Sequence, residues 1–401
     1  MNAFTQSPLV EPSRELRDTC AIVGTATSRL GKVPGTSSLD LMVEAIRNAL
    51  DDAGLKASDI DGVLCRGPDD SYSHHQLVAE RLGVNARFST TLTNGGASQI
   101  MSVALAVMAI RFGMANTIVC GFARDSWSRT HANEEVRVRN ETRPEAMLAR
   151  EFGPEYGYYG ATAAHAFGAT RHMHLYGTTR DHFGEIAVAF REHALRNPQA
   201  QMKKPLSIED YHAGRLIVAP FGMFDCSLRS DAAGAVIVTS AARAKDLRQP
   251  PVLIKGFGTH NNTRGWFADD NMVVTAAKPA GEAAYRMAGL GPQDVDTAQI
   301  YDCFTYMVLT QLEDYGFCKK GEGGPFVASG ALRLGGALPC NTAGGQLSES
   351  HCEGMLQIVE GVRQMRHTYP EHRQVKDAEI ALISGHGGNQ VCHSTLILGR
   401  A

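Results

Sequence analysis

The sequence predicts an α/β protein whose mostly parallel β-sheet is covered by helices on both faces and whose second half repeats the plan of the first. Strand-like and helix-like segments alternate along much of the chain, which is typical of such sheets. A pattern of the form A-x-x-x-A-G-L-x-x-x-D-[I/V]-D also recurs without a gap, as "ALDDAGLKASDID" at 49–61 and "AYRMAGLGPQDVD" at 284–296. A recurrence of this kind indicates duplication.

The N-terminal elements follow this alternation. A buried strand at 20–27 precedes a helix at 38–55 whose apolar residues have helical spacing and which ends at Ala53-Gly54. The segments that continue the pattern are a strand at 59–65, a strand at 87–93, a helix at 98–112 and a strand at 115–123. Together they predict a βαβ-type half-domain.

The second half repeats this order. Residues 340–366 pass through a Gly-Gly turn into an amphipathic helix, as 91–111 do, and 378–388 parallel the strand at 115–123. The segment 124–220 lacks the βαβ rhythm and is rich in His, Tyr, Arg and Gly, so we expect a surface excursion that forms a lid. The predicted units are therefore an N-terminal half (18–123 with 221–250), a lid (124–220) and a C-terminal half (251–401).

Composition excludes several classes of function. Of the 401 residues, 43% are apolar and 20% charged, and the net charge of −3 gives no electrostatic reason to bind nucleic acid or an anionic membrane. No apolar run approaches the roughly 20 residues of a membrane span, and the N-terminus lacks the pattern of a signal peptide. Nine cysteines without a CxxC pair argue against a structural zinc site and favour reduced thiols in the cytoplasm.

The stretch "TLTNGGASQIMSVALAVMAIR" at 91–111 poses the main question about function. A strand, a tight turn and a helix are the elements on which many α/β enzymes mount a nucleophile at the helix N-terminus. Here the turn offers only Gly95 and Gly96. We expect their backbone N–H groups to help hold an oxyanion, and the missing side chains to leave space for a bulky alcohol.

Four motifs carry a resemblance to a known family: "ATRHMHLYGTTRDHFGEIAVAFREHALRNPQA", "FDCSLRSDAAGAVIV", "YDCFTYMVLTQLEDYGFCKKGEGGPFV" and "NTAGGQLSESHCEGM". With them the chain resembles the thiolases, in particular the sterol-carrier or lipid-transfer branch, from about 20 to 400. The resemblance implies a five-layer αβαβα thiolase fold of two duplicated βαβαβαββ halves with an inserted lid. It also implies a homodimer and acyl-CoA substrates.

The departures from that family change the expected chemistry. Thiolases carry a nucleophilic cysteine at the first elbow, where this chain has Asn94, Gly95 and Gly96. They carry a second cysteine near the last Gly-rich turn, where this chain has "LISGHGGNQVC" with Ser384 and His386. Without a nucleophile, acyl transfer through a covalent intermediate is not expected.

This combination resembles the thiolase-like aldolases of bacterial steroid side-chain breakdown, which cleave a β-hydroxyacyl-CoA by a retro-aldol reaction. The resemblance implies a small partner protein with an OB-fold and a zinc ribbon. We expect a ketone or aldehyde and a short acyl-CoA, such as propionyl-CoA or acetyl-CoA, as products. No metal and no permanently bound cofactor are expected, because coenzyme A enters as part of the substrate.

Five side chains are the candidates for this chemistry. Tyr301, at the position the aldolases fill with tyrosine, is expected to exchange a proton with the β-hydroxyl, which requires either a lowered pKa or relay of the proton to a better base. His351 is the expected acid–base histidine, since its ordinary pKa lies near working pH. His386 is either a donor to the thioester oxygen or a turn histidine, Asn341 either an oxyanion ligand or a turn former, and Asp302 an orienting residue.

Two alternatives stay open on the sequence. The chain could be a Claisen-type acyltransferase or decarboxylase, for which Cys352 beside His351 is a candidate nucleophile. Cys392 lies along the following strand and is not an obvious substitute. The chain could also be a non-catalytic scaffold that binds acyl-CoA or lipid. The histidine clusters at 74–76 and 171–174 lack nearby partner ligands and are not expected to bind metal.

Overall fold

The computed structural model describes residues 14–68, 72–131, 160–262, 272–388 and 390–401. The first part of the chain forms the predicted alternation of strands and helices. Its strands are β1 (Cys20–Thr27), β2 (Gly62–Arg66), β3 (Phe88–Thr91) and β4 (Thr117–Asp125), and its helices are α1 (Ser38–Ala53), α2 (His74–Leu82), α3 (Ser98–Arg111) and α4 (Ser126–His131).

The predicted lid segment is mostly helical where it is described; residues 132–159 of it lie outside the described residues. Besides α4, its elements are α5 (Gly160–Tyr176), α6 (Arg180–Arg196), α7 (Ile208–Ala213) and the short strand β5 (Leu216–Val218), which pairs with β6 (Phe221–Gly222) just beyond the segment. Phe183, Ile186 and Phe190 of this segment share a buried cluster with Tyr306 and Leu309 of the C-terminal half. The described lid helices therefore pack on the second half of the molecule.

The remaining elements complete both halves. They are β7 (Asp231–Ser240), α8 (Ala241–Ala244), β8 (Val252–Asn261), α9 (Ala277–Ala288), β9 (Thr297–Gln299), α10 (Thr305–Asp314), α11 (Gly323–Ala328), α12 (Gly345–Ser348), α13 (Met355–Met365), β10 (Ile380–Gly387) and β11 (Cys392–Arg400). Among the described residues no helix is both long and apolar enough to traverse a bilayer.

Nine strands form one continuous sheet in the order β3-β2-β4-β7-β1-β8-β11-β10-β9. The strands β2-β4-β7-β1 of the first half correspond to β9-β10-β11-β8 of the second, and β3 has no counterpart among the described residues. The halves meet where β1 and β8 pair through Ala21–Leu253 and Ile22–Val252. β2 pairs in parallel with β3 and β4, and β9 with β10, while the other five neighbouring pairs are antiparallel. The sheet is therefore mixed, and the prediction of a mostly parallel sheet is wrong, because the strands that close each half run antiparallel to their neighbours. Two copies of one topology are thus joined along their first strands.

The side chains of the sheet alternate between two cores, since successive residues of a strand point to opposite faces. On β1, Ala21 and Val23 face the cluster under α1, whereas Cys20 and Ile22 face the cluster that contains α3 and α13. The outer face of the C-terminal half packs against α9 and α10. The five layers are α1, the strands of the first half, α3 with α13, the strands of the second half, and α9 with α10. This is the predicted αβαβα arrangement.

The repeated sequence pattern has a structural counterpart. Both α1 and α9 end at a glycine in the left-handed conformation, Gly54 (φ 72°) and Gly289 (φ 65°), and a 3₁₀ turn follows each. One expected correspondence differs. The Gly344-Gly345 turn leads only into the four-residue α12, and the counterpart of α3 is α13, which begins after Gly354.

Candidate active site

The glycine turn before α3 lies against the end of β10. Residues Gly95–Ala97 form a single 3₁₀ turn, and Gly95 has a φ of 57°. A Cβ atom on Gly95 would lie 2.9 Å from Cα of Gly387, and one on Gly387 would lie 2.2 Å from the carbonyl oxygen of Asn94. The two segments therefore touch backbone to backbone, which a side chain at either glycine would prevent.

The ring of Tyr301 occupies the place where a side chain at residue 96 would begin. A Cβ atom on Gly96 would lie 2.2 Å from Cε2 of Tyr301 and 2.5 Å from the carbonyl oxygen of His386. The sequence-based expectation that the glycine leaves room for a bulky alcohol is wrong at this position. The space is filled by a phenol, because Tyr301 comes from the other half of the molecule and packs directly on the elbow.

A closed ring of hydrogen bonds holds the backbone of Tyr301. Its N–H donates to Oγ of Ser384 (2.8 Å), the Ser384 hydroxyl donates to Oε1 of Gln311 (2.7 Å), and Nε2 of Gln311 donates to the Tyr301 carbonyl (2.9 Å). Gln311 lies on α10 within the motif that begins at Tyr301, but the sequence analysis assigned it no role, because its contact with Ser384 exists only in the folded chain. Burial raises the pKa of Tyr301 well above its ordinary value, with the charge of Glu353 acting in the same direction. The lowered pKa, one of the two alternatives expected from the sequence, is therefore wrong for this structure.

Asp302 is fully buried and holds the segment that follows the Gly344-Gly345 turn. Its carboxylate accepts hydrogen bonds from the backbone N–H groups of Gln346 (3.0 Å) and Leu347 (3.2 Å) and from Nε2 of Gln357 (2.9 Å). Burial raises the pKa of Asp302 to about 6, and the two backbone donors oppose that shift. These contacts give Asp302 an orienting position.

Asn341 is buried in the left-handed conformation, with a φ of 48°. Its Oδ1 accepts from the N–H of Ile300 (2.6 Å) and its Nδ2 donates to the carbonyl of the same residue (2.8 Å). Both ends of the amide are therefore engaged with the residue before Tyr301. This is the geometry that the turn-forming alternative requires, and it makes Asn341 a support for the tyrosine.

His351 has a fixed tautomer. Its Nδ1 lies 3.1 Å from the carbonyl oxygen of Leu228, and since a carbonyl can only accept, Nδ1 carries the proton. In the neutral ring Nε2 is then a lone pair, and among the described residues this buried atom has no hydrogen-bond partner. Burial, assisted by Arg124 and opposed by Glu353, lowers the pKa of His351 to about 4. The ordinary pKa expected from the sequence is thus shifted downwards.

A buried ion cluster lies beside both candidate residues. Glu353 pairs with Arg66 at 2.7 Å and with Arg124, and these arginines come from the ends of β2 and β4. The same three charges influence the pKa values of Tyr301 and His351. This cluster was not predicted from the sequence, since its members are distant in the chain and only Glu353 belongs to one of the motifs.

His386 lies beneath Tyr301, with ring centroids 5.5 Å apart in an edge-to-face arrangement. Its Nδ1 lies 2.9 Å from Nε2 of His393, and its Nε2 lies 3.1 Å from Nε2 of His165. Burial lowers the pKa of His386 well below its ordinary value. Both ring nitrogens therefore contact other histidines, and a role in binding the thioester oxygen stays a prediction.

The cysteines near the site differ in accessibility. All nine are free thiols. Sγ of Cys352 lies 3.6 Å from the carbonyls of Phe122 and Ala232, and burial raises the pKa of Cys352 above its ordinary value. The hairpin of β10 and β11 returns Cys392 to the elbow, where its Sγ lies 3.9 Å from Nδ2 of Asn94. Cys392 is thus closer to the elbow than its position in the sequence suggested.

Comparisons with known proteins agree with this architecture. The family description "Thiolase, N-terminal domain" matches residues 20–215, and "Thiolase C-terminal domain-like" matches residues 258–400. The chain is 37% identical over 390 residues to a 17-hydroxy-3-oxo-4-pregnene-20-carboxyl-CoA lyase of Mycobacterium tuberculosis, covering 94% of this chain and 98% of the relative. It is 36% identical over 389 residues to a steroid side-chain-cleaving aldolase of Thermomonospora curvata, covering 94% and 97%.

A solved structure extends the likeness to three dimensions. The structure described as an Ltp2-ChsH2(DUF35) aldolase superposes with a TM-score of 0.87 at 34% identity, covering 96% of this chain and 98% of that one. Three findings support one assignment: the family matches, the extent of the identity and the five-layer fold. This chain belongs to the thiolase superfamily, in the group that includes steroid side-chain-cleaving aldolases.

Proposed function

We propose that this protein is a carbon–carbon lyase that cleaves a β-hydroxyacyl-CoA, with a steroid side-chain thioester as substrate, by a retro-aldol reaction. One observation carries the proposal: the elbow that presents the nucleophile in a thiolase is here a glycine whose side-chain position is filled by the ring of Tyr301. Proton transfer is available at such a site, and covalent capture of the acyl group by residue 96 is not. The named activities of the two relatives support the same reaction.

In this mechanism His351 acts as the base. Its Nδ1–H is held by the Leu228 carbonyl, so Nε2 is free to accept the proton of the β-hydroxyl. The alkoxide collapses to a carbonyl as the Cα–Cβ bond breaks, and the bonding electrons form the enolate of the departing acyl-CoA. The phenol of Tyr301 then gives a proton to the enolate carbon and recovers one from His351. Atoms balance without water or an oxidant.

Charge at the site favours the enolate. Arg66 and Arg124 contribute cationic groups to this site, and a cationic group in a water-poor site stabilises a developing anion more strongly than it would in bulk water. The backbone N–H groups of Gly95 and Gly96 complete the proposed oxyanion site. In this scheme Asn341 and Asp302 position Tyr301 and the loop beneath it, and His386 supports the tyrosine ring.

We extend the proposal to the assembly. A homodimer and a small partner with an OB-fold and a zinc ribbon are expected from the resemblance, and the solved relative is itself named as a two-component aldolase. Light scattering tests the dimer, which should have twice the 43.2 kDa mass of the chain. Co-purification with the protein encoded beside this one tests the partner. The free thiols favour a cytoplasmic protein, which cell fractionation tests.

The decisive experiment uses the CoA thioester of a 17-hydroxy-20-carboxyl steroid. Retro-aldol cleavage releases a 17-keto steroid and propionyl-CoA in equal amounts, and mass spectrometry measures both. The chain is assayed with its partner, and His351→Ala is the matched inactive variant. Binding of the thioester without products, unchanged by His351→Ala, would instead support a scaffold.

A second arm tests acyl transfer. Cys392 lies beside the elbow, so labelled acyl-CoA is incubated with the wild-type chain and with Cys392→Ala and Cys352→Ala. The lyase proposal predicts no covalent label on any cysteine while products form. Label that disappears in one of the variants, together with loss of turnover, would assign a covalent mechanism and overturn the proposal.

A further inference from the structure

A group of potential metal ligands lies behind Tyr301. The side chains of His165, Cys303 and His386 place one ligand atom each within 4.8 Å of one another, and they are the only such group found among the described residues. They come from three different parts of the fold: α5 of the lid segment, the loop after β9, and β10. No motif in the sequence connects them.

The hydrogen bonds around the two imidazoles fix where their lone pairs point. Nδ1 of His165 lies 2.7 Å from the carbonyl oxygen of Ala161, and a carbonyl only accepts, so Nδ1 carries the proton and Nε2 is a lone pair. The backbone N–H of Gln390 donates to Nε2 of His386 at 3.4 Å, so that nitrogen is also an acceptor. The Nδ1–H of His386 then donates to His393.

The two Nε2 atoms lie 3.1 Å apart. A ring nitrogen has one lone pair, so an ion bound here would take the lone pair of His386 Nε2 in place of the long 3.4 Å contact with the N–H of Gln390. In a tetrahedral zinc site with Zn–N bonds of about 2.0–2.1 Å, two nitrogen ligands lie roughly 3.3 Å apart. The observed spacing is close to that value, and a thiol is within reach as a third ligand.

We propose that His165 Nε2, His386 Nε2 and Cys303 Sγ bind a divalent transition metal ion of the zinc class, with a fourth position open to water. Two imidazoles and a thiolate are ligands that zinc prefers. On binding, the Cys303 thiol loses its proton to solvent and its sulfur becomes the third ligand. The contacts of Ala161 and His393 with the outer ring nitrogens match the hydrogen bonds that orient metal-bound histidines.

The ion would cross-link the lid segment to the glycine turn before α3. His165 belongs to α5, whereas His386 lies under Tyr301 and beside Gly96, so one ion joins the lid segment to the support of the tyrosine. The site is independent of the proposed cleavage, none of whose steps passes through it. It also departs from the sequence-based expectation that the chain binds no metal.

The test measures metal directly. The full chain, made without a histidine tag and purified without its partner, is loaded with zinc, desalted, and analysed by plasma mass spectrometry. We expect equimolar zinc in the wild type and only trace zinc in His165→Ala and Cys303→Ser. His174→Ala on the same helix and Cys318→Ser are matched controls that retain the metal. Replacement by cobalt should give a thiolate-to-metal absorption band that Cys303→Ser removes.

A second measurement separates loss of metal from loss of folding. Chelator-treated wild type should unfold at a lower temperature, and added zinc should restore the midpoint, as expected when an ion binds only the folded state. Trace zinc in the wild type would overturn the proposal, and so would zinc in both ligand variants at the wild-type level. A thiol hydrogen bond to an imidazole would then explain the cluster. Neither readout depends on turnover, so failure here leaves the lyase proposal intact.

Discussion

The ring of Tyr301 lies where the side chain of residue 96 would be: a Cβ atom on Gly96 would lie 2.2 Å from Cε2 and 2.6 Å from Cζ of the tyrosine. A thiolase-type nucleophile at this elbow and a tyrosine in this rotamer exclude each other. Loss of the cysteine and placement of the phenol are therefore one structural change, and its consequences can be measured.

Gly96→Ala should inactivate the protein with limited loss of stability. The added methyl group must displace the Tyr301 ring or the backbone of His386, and overpacking of this kind costs about 1–3 kcal/mol, while misplacing a reacting group costs up to about 100-fold in kcat. Product formation and chemical denaturation give the two values. Gly83→Ala, at an open left-handed position, is the control that strains the backbone and leaves activity unchanged. Equal activity in both variants would contradict the role of the elbow.

Tyr301→Phe should lower kcat by about 10²–10⁴-fold with little change in KM, because it removes the proton and keeps the ring that fills the elbow. Steady-state kinetics with the steroid thioester measures both constants. Tyr285→Phe is the matched control, since its hydroxyl contacts only the Tyr315 carbonyl away from the elbow and its loss costs about 1 kcal/mol of stability. Full turnover by Tyr301→Phe would remove the tyrosine from the mechanism.

The activity should persist at mildly acidic pH. Because burial lowers the pKa of His351 to about 4, its neutral ring remains the base down to pH 5, where a histidine with the ordinary pKa of about 6.5 would be mostly protonated. We expect kcat/KM to stay level between pH 8 and pH 5 and to fall towards pH 4. A decline centred near pH 6.5 in a protein that is still folded would contradict this assignment.

The lowered pKa of buried histidines also makes the stability of the protein depend on pH. The pKa values of His351 and His193 are both lowered to about 4 by burial, so these two residues bind more protons in the unfolded chain than in the native one between pH 6.5 and 4, while Asp302, whose pKa is raised to about 6, acts in the opposite direction. The contribution of the two histidines is fully present above pH 6.5 and is lost as the pH falls through that window. The free energy of unfolding, measured with denaturant, should decrease accordingly. His193→Asn should flatten the dependence without abolishing catalysis.

Glu353→Gln should be strongly destabilising. The change removes the negative charge that pairs with Arg66 and Arg124 in this cluster, and breaking one partner of a buried ion pair costs about 3–5 kcal/mol, less here because Arg124 is one-third exposed. Denaturant unfolding measures the loss. Glu379→Gln, which breaks the exposed pair with Arg400, should cost less than about 1 kcal/mol. Similar losses in the two variants would show that the cluster is solvated.

Ser384→Ala should slow the reaction without weakening substrate binding. It opens the ring of hydrogen bonds through which Ser384 and Gln311 hold the Tyr301 backbone, and a small displacement of a reacting group costs about 10–100-fold in kcat. Ser384→Thr keeps the hydroxyl and should recover most of the rate. An increase in KM at unchanged kcat would indicate that Ser384 contacts substrate instead.

Local features of the sequence were enough to predict the scaffold. Apolar spacing located β1 and α1, glycine at the helix ends marked Gly54 and Gly289, and the repeated pattern around these glycines indicated duplication. These signals depend on residues within a few positions of one another, so they can be recognised in the sequence without knowledge of the fold. The residue types at the elbow and in "YDCFT" were equally visible.

The chemistry of the site was decided only by tertiary packing. Tyr301 reaches Gly96 from the other half of the molecule, a lid histidine meets His386, and the Leu228 carbonyl selects the tautomer of His351. The pKa of a side chain and the direction of its lone pair depend on burial and on distant neighbours, as for His165 and His386, which are 221 residues apart in the chain. The sequence by itself determined which elements form and that residue 96 has no side chain; the packing of the two halves determined what fills that place, because contact between distant segments exists only once the core has closed.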